Sequence, residues 1–277
     1  MPNNKDKKIK IAWLGKHFGE EPPLIGKKNQ GAGGIFFTGC NLHCLFCQNY
    51  QISQQRLYRK ECSPAELAKM MLDLQKRGAV NIDLVSPTIW FQQLKEAITL
   101  AKRKGLKIPI VWNSNGYEAK AVIKEMKGLV DIYLPDFKYG ADEVAFKYSQ
   151  AKNYIAIAKK AIETMLEQVG YLKIKNGLAE KGLIVRHLVL PNNIENSLQA
   201  LDILAAIDNR IHISLLNQYF PVYRAKEYPE LNRTVSDKEF AQVCDYAVKL
   251  GFANGWAQTG ESSQTFLPNF KEENPFA

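Results

Sequence analysis

The feature that most constrains the fold is a repeated alternation of short apolar runs with longer helical patterns. Six runs of strand length recur, at residues 34–38, 80–86, 108–113, 129–134, 183–190 and 210–216. Continuous apolar runs of this length suit strands that are buried on both faces of a sheet. The sequence therefore predicts six buried strands.

Helical patterns lie between these runs. Ser63-Pro64-Ala65-Glu66 supplies an N-cap residue, a proline at the first helical position and an acid in the first turn. Alternating strands and helices predict parallel strands joined by right-handed crossovers. No Gly-x-Gly-x-x-Gly sequence opens a helix, which disfavours a dinucleotide-binding sheet. We therefore expect an α/β fold, an incomplete (β/α)6 TIM-like barrel with parallel strands in a single domain.

Glycines and prolines punctuate the first thirty residues, which predicts an irregular N-terminal arm over residues 1–30. The barrel is expected over residues 31–258 and a C-terminal tail over residues 259–277. No apolar run is long enough for a transmembrane helix, and the lysine-rich start lacks an apolar signal region. A cytoplasmic protein with no membrane contact is therefore expected. The net charge of +9 is scattered along the chain, so nucleic acid is not expected as a partner.

Three of the five cysteines form a C-x3-C-x2-C motif, namely Cys40, Cys44 and Cys47. The motif follows the first predicted strand, on the face that carries the active site in parallel α/β barrels. Thiolate ligands favour iron–sulfur clusters or zinc. An electron-transfer cluster normally takes four cysteines, whereas three leave one iron open to a substrate. Zinc completed by His43 or Cys62 is the alternative that this spacing leaves open.

The same motif, with the aromatic Phe46 before its last cysteine, resembles the radical S-adenosylmethionine superfamily. Residues 33–42 and 47–53 look like relatives of pyruvate formate-lyase activating enzyme. Residues 134–139, 185–191 and 217–221 resemble one uncharacterised branch of those relatives, and the likeness runs from about residue 17 to 258.

This resemblance implies a partial barrel that binds a [4Fe-4S] cluster through the three cysteines. It also implies an oxidoreductase that cleaves S-adenosyl-L-methionine to methionine and a 5′-deoxyadenosyl radical, which takes hydrogen from a substrate. Activation of a glycyl radical enzyme is one such reaction.

The resemblance also implies roles for six further residues. Phe46 would lie beside the adenine, Asn113 and Ser114 would meet the ribose, Asp136 and Lys138 would approach the cofactor, and Arg186 would face its carboxylate. Strand-end capping or a satisfied polar group is the alternative for Asn113, Ser114 and Arg186. A surface ion pair is the alternative for Asp136 and Lys138.

One departure from the family pattern concerns the second predicted strand. The family usually has Gly-Gly-Glu there to hold the methionine ammonium, but this chain has Ser86-Pro87-Thr88 after Asp83-Leu84-Val85. Ser86, Thr88 or backbone carbonyls are the candidates to replace the missing acid.

The expected partners are a protein or peptide substrate and an electron donor such as flavodoxin or ferredoxin. The loop at residues 217–235 is long enough for a lid or a docking surface. A zinc-binding nucleic-acid module and a non-catalytic iron–sulfur protein remain the alternative functions.

Overall fold

The structure is a computed structural model that describes residues 8–27, 29–258 and 267–276. Within these ranges the strands are β1 (Ile9–His17), β2 (Ala32–Phe37), β3 (Lys60–Cys62), β4 (Ile82–Val85), β5 (Ile110–Ser114), β6 (Ile132–Pro135), β7 (Lys173–Lys175), β8 (Leu178–Leu188), β9 (His212–Leu216) and β10 (Gly255–Ala257). The helices are α1 (Pro22–Ile25), α2 (Tyr50–Ser53), α3 (Pro64–Lys76), α4 (Phe91–Arg103), α5 (Lys120–Glu125), α6 (Asp142–Ser149), α7 (Tyr154–Val169), α8 (Ile194–Asp208) and α9 (Asp237–Lys249).

The strands form one sheet in the order β10-β9-β8-β6-β5-β4-β2-β1-β3, and β7 pairs with β8 beside it. The six predicted runs correspond to β2, β4, β5, β6, β8 and β9, which pair with one another in parallel in this order. The short strand β10 adds a seventh parallel strand beside β9. Because β10 and β3 stand at opposite ends of the order, the sheet stays open. The predicted parallel, incomplete α/β barrel is confirmed.

The prediction of an irregular arm over residues 1–30 is wrong for Ile9–His17, which form the strand β1. This strand pairs antiparallel with both β2 and β3 and buries Ile9 and Ile11. Gly15 is one of the glycines that interrupt the pattern of this segment, and the Trp13 ring lies where a side chain at Gly15 would stand. The glycine therefore makes room for the indole. The limits of the barrel at residues 31 and 258 stay predictions. Residues 259–266 of the predicted C-terminal tail lie outside the described ranges.

A layer of buried apolar side chains covers the inner face of the sheet below the carboxyl ends of the strands. Leu24 of α1 packs there with Val111, Ile132, Leu134 and Ile184. Side chains two positions further along a strand point to the same face. Val111 and Ile184 therefore set the direction of Asn113 and Arg186, which lie one layer higher.

The opposite face of the sheet packs against the helices. Ile35, Leu84 and Trp112 belong to that larger core together with Leu67 and Leu94 of α3 and α4. Ser63 is the N-cap of α3, as its sequence predicts, and it also closes a capping box with Glu66. Among the described residues, none of the helices has the length and apolar character needed to cross a membrane.

Gly116 fixes the turn after β5 that faces the site. Its φ is +73°, and a side chain there would meet the carbonyl oxygen of Asp136 at 2.0 Å. Gly128 has a similar φ of +77° but faces open space, so it is a matched control. We expect Gly128→Ala to lower the free energy of unfolding by about 1 kcal/mol. Gly116→Ala should cost roughly 2 kcal/mol more because of the clash.

Urea unfolding followed by circular dichroism measures both values. Equal losses in the two variants would contradict the tight approach of Gly116 to β6.

Candidate active site

A cavity of about 540 Å³ opens at the carboxyl ends of the parallel strands. All nine residues singled out from the sequence line it, namely Cys40, Cys44, Phe46, Cys47, Asn113, Ser114, Asp136, Lys138 and Arg186. They come from the loop after β2 and from the ends of three other strands. The fold therefore brings together residues that are up to 146 positions apart in the chain.

The cysteine loop, residues 39–49, is held by backbone hydrogen bonds from two sides. The amide groups of His43 and Leu45 donate to the carbonyl oxygens of Ser149 and Tyr148 at the end of α6. From the other side, the amide of Arg224 donates to the carbonyl oxygen of Leu45. These bonds fix the loop without using any of the three thiols.

Each of the three thiols has a hydrogen-bonding side chain beside its sulfur. The pairs are Asn115 Nδ2 with Cys40 Sγ (3.1 Å), Ser149 Oγ with Cys44 Sγ (2.9 Å) and Ser53 Oγ with Cys47 Sγ (3.2 Å). Hydrogen bonds to cysteine sulfur are a regular feature around iron–sulfur clusters. Within the described residues, no three His, Cys, Asp or Glu side chains converge on one metal ion. A cubane cluster instead takes one thiolate per iron, so the donor set fits it.

Two of the three thiols, those of Cys44 and Cys47, need a metal to become thiolates at neutral pH. Burial raises the pKa of Cys44 to about 11 and that of Cys47 to about 12. Both therefore carry protons at neutral pH, and binding to iron would displace those protons.

Lys138 and Asp136 form an ion pair next to Cys44. The Lys138 Nζ lies 2.5 Å from Asp136 Oδ2, and both side chains are largely buried. Burial acts to lower the pKa of Lys138, but the charge of Asp136 outweighs it and the pKa lies above its usual value. The pair is therefore a fixed, charged feature of the cavity wall rather than a surface ion pair.

Arg186 binds two carboxylates that the sequence interpretation missed. Its Nε and Nη2 donate to Glu21 at 2.8 and 2.6 Å, and Nη2 also donates to Glu20. The side chains of Glu20 and Glu21 are only 6% and 4% exposed. Burial raises the pKa of Glu20, but Arg186 and His17 reverse the effect and bring it well below its usual range. The only sequence signal was a pair of acids before Pro22, which predicts nothing about burial.

Asp83, a residue of β4, lies near Glu20 and Arg186. Its Oδ2 accepts a hydrogen bond of 3.3 Å from Asn113 Nδ2. Burial and the nearby charge of Glu20 raise the pKa of Asp83 well above its usual value, although Arg186 opposes the shift. The raised pKa favours the protonated form of Asp83, and a proton on Asp83 relieves the repulsion between the two carboxyl groups.

Two predicted contact residues are already engaged with other protein groups. The Ser114 hydroxyl donates to Glu118 at 2.7 Å, and the Thr88 hydroxyl donates to the same carboxylate at 2.9 Å. Ser86 lines the cavity with a φ of +58°. Of the two residues whose hydroxyls are candidates to replace the missing acid, Ser86 therefore lines the cavity, whereas the hydroxyl of Thr88 is bound to Glu118.

Comparison with known proteins gives a consistent picture. The model of the radical SAM superfamily matches residues 35–173. An uncharacterized protein of Methanocaldococcus jannaschii is 33% identical over 243 residues, which is 84% of this chain and 65% of that protein. The chain thus matches slightly less than two thirds of this relative's length.

Solved structures show the same fold. Streptococcus suis SuiB bound to S-adenosylmethionine has a TM-score of 0.57 at 13% identity, covering 83% of this chain and 50% of SuiB. SuiB bound to its precursor peptide SuiA has a TM-score of 0.55 at 12% identity, covering 84% and 50%. At these identities the likeness extends to the fold alone.

The shifted pKa of Asp83 makes stability depend on pH. An unfolded Asp loses its proton near pH 4, whereas the folded protein keeps this one. Stability is therefore lost as the pH rises from about 4 toward the raised pKa of the folded state. We expect Asp83→Asn to be more stable than the wild type at pH 8, with a gain that shrinks to zero near pH 4.

Urea unfolding at several pH values measures this gain. Asp73→Asn, at an exposed position of α3, is the control that should show no such trend. A gain in Asp83→Asn that stays constant with pH would show that Asp83 is ionised in the folded protein.

Proposed function

The chain belongs to the radical S-adenosylmethionine superfamily, and we propose that it cleaves S-adenosylmethionine reductively at a [4Fe-4S] cluster held by Cys40, Cys44 and Cys47. The observation that carries the proposal is that the three thiols share one cavity with the six other predicted side chains. When bound, the cluster supplies one electron that breaks the sulfonium C–S bond, giving methionine and a 5′-deoxyadenosyl radical that takes hydrogen from a substrate.

The residues of the chain bind and orient the cofactor in this proposal. Phe46 is 4% exposed and packs edge-on against Tyr219, which gives the adenine a rigid apolar neighbour. Asn113 and Ser114 lie at the end of β5, where the ribose is proposed to bind. Asp136 and Lys138 provide fixed charges beside Cys44.

The formal charges of the cavity complement those of S-adenosylmethionine. Three carboxylates, of Glu20, Glu21 and Asp136, face the two cations Arg186 and Lys138. Apart from the cluster and its cysteine ligands, the cavity thus has one excess negative charge when Asp83 is protonated. S-Adenosylmethionine has a sulfonium, an ammonium and a carboxylate, and thus one excess positive charge. We propose that Glu20 or Glu21 serves in place of the missing Gly-Gly-Glu acid, while Arg186 faces the methionine carboxylate.

Glu20→Gln tests this charge match. The substitution keeps the shape of the side chain but removes one negative charge. We expect the Kd for S-adenosylmethionine to rise about tenfold, because one charge-assisted hydrogen bond is lost. Anaerobic equilibrium dialysis with cluster-loaded protein measures the Kd. Glu96→Gln on the exposed face of α4 changes the net charge equally and should bind like the wild type. Equal affinity in both variants would remove Glu20 from the site.

The cleavage itself is tested with protein that is anaerobically reconstituted with iron and sulfide. After reduction with dithionite and addition of S-adenosylmethionine, 5′-deoxyadenosine is quantified. We expect product from the wild type and from Cys244→Ala, which removes a cysteine of α9 outside the cavity. Cys44→Ala should form none.

The other outcomes decide between the alternatives. A cluster without any 5′-deoxyadenosine would favour a non-catalytic iron–sulfur protein. Bound zinc in place of a cluster would favour the zinc-binding alternative.

A protein or peptide is the substrate class that we propose. The precursor peptide bound by SuiB supports this class for a similar fold. The loop at residues 217–235 supports it as well, because the ring of Tyr223 stacks on Tyr50 at 5.1 Å, next to the cysteine loop, and remains 38% exposed. Activation of a glycyl radical enzyme is one candidate within this class, and flavodoxin or ferredoxin is the proposed electron donor.

A further inference from the structure

Ser149 differs from the other two hydrogen-bonding neighbours of the thiols in its position. It is the last residue of α6, is 1% exposed and lies behind Cys44. Asn115 and Ser53, in contrast, line the cavity itself. A substitution at either of those two positions would also change the surface that a bound cofactor meets. Ser149 acts on its cysteine from the protein side.

Ser149 holds the cysteine loop by two separate groups. Its carbonyl oxygen accepts the amide hydrogen of His43 at 3.2 Å, which fixes the backbone next to Cys44. Its hydroxyl donates to Cys44 Sγ at 2.9 Å. The backbone bond would survive a change of the Ser149 side chain, so the role of the hydroxyl can be examined alone.

The hydroxyl of Tyr139 stands behind that of Ser149 and is hydrogen-bonded to it. Tyr139 is fully buried, and its ring packs edge-on against Tyr154 at 5.1 Å. Burial raises the pKa of Tyr139 well above its usual value, so it stays a neutral phenol with a hydrogen to donate. A serine hydroxyl has only one hydrogen. If Ser149 gives that hydrogen to Cys44, it accepts the hydrogen of Tyr139, and the two bonds run in one direction toward the sulfur.

Two aligned hydrogen bonds strengthen each other, because each polarises the next, and they act here in a buried environment. A hydrogen bond to a cysteine ligand withdraws negative charge from the sulfur. It therefore stabilises the reduced cluster, which has one more electron, over the oxidised cluster. Hydrogen bonds to the sulfurs are among the features that set the potentials of iron–sulfur proteins.

We propose that Tyr139 and Ser149 form a hydrogen-bond relay that raises the reduction potential of the cluster bound through Cys44. Ser149 is a positioning residue in this scheme, since it acts on the cluster through a ligand. The inference rests on the proposed function in requiring that the three cysteines bind the cluster. It does not require that S-adenosylmethionine is cleaved.

The test measures the midpoint potential of the reconstituted cluster by anaerobic redox titration, followed by the EPR signal of the reduced state. We expect the potential of Ser149→Ala to shift to a more negative value. Tyr139→Phe keeps the ring and removes only the distant hydroxyl, so its shift should have the same sign and be smaller. Ser149→Thr keeps a hydroxyl and should restore most of the wild-type potential.

The double variant separates the relay from two independent effects. Without Ser149, the Tyr139 hydroxyl has no route to the sulfur. The double variant should therefore have the potential of Ser149→Ala rather than the sum of both shifts. Tyr133→Phe is the matched control, because its buried phenol donates to Gln168 on α7 at 2.9 Å and should leave the potential unchanged.

The outcomes distinguish this proposal from the proposed function. Wild-type potentials in cluster-loaded Ser149→Ala and Tyr139→Phe would overturn the relay, whatever the cleavage activity. The expected shifts in a protein that forms no 5′-deoxyadenosine would support the relay and contradict the proposed function. If Ser149→Ala fails to fold, Tyr139→Phe and Ser149→Thr decide alone, and a wild type that binds no cluster would overturn both proposals.

Discussion

The ion pairs of Arg186 with Glu20 and Glu21 join parts of the barrel that the sheet itself leaves apart. No backbone pairing closes the sheet among the described residues, since β3 and β10 stand at its two ends. The chain that leaves β1 near one end instead passes below the strands as α1. Glu20 and Glu21, just before α1, bind the guanidinium of Arg186 on β8, which lies toward the other end of the sheet. Removing one partner of a buried pair typically costs about 3–5 kcal/mol, because the other charge is then left buried and unpaired. Loss of Glu20, Glu21 or Arg186 alone would therefore destabilise the barrel.

The same contacts determine the electrostatics of the cavity. Asp83 is buried and lies near Glu20, which Arg186 holds as a carboxylate, so both burial and repulsion oppose the ionisation of Asp83. The raised pKa of Asp83 therefore favours a proton on β4. The ion pair that links α1 to β8 thus also favours charge on Glu20 over charge on Asp83.

Those parts of the fold and site that depend on local sequence could be predicted. The three cysteines lie within eight residues on one loop, and Asn113 ends a strand whose apolar run is evident. Glu20 and Ser149 could not be found in this way, because their partners Arg186 and Cys44 lie 166 and 105 positions away. Strand β1 was missed for a related reason. Gly15 breaks a strand pattern when it is considered alone, and only the position of the Trp13 ring explains it.

Two elements hold the cysteine loop, and they also hold each other. The end of α6 accepts the amides of His43 and Leu45, while Arg224, from residues 217–235, donates to Leu45. Glu230 of the same segment then accepts hydrogen bonds from Lys147 and Tyr148 of α6. A substrate that docks on residues 217–235 would therefore be connected through these hydrogen bonds to α6, the helix that contains Ser149. Under the relay proposed above, the hydrogen bonds that position the loop and those that tune the cluster belong to one connected group, so docking and reduction potential need not be independent.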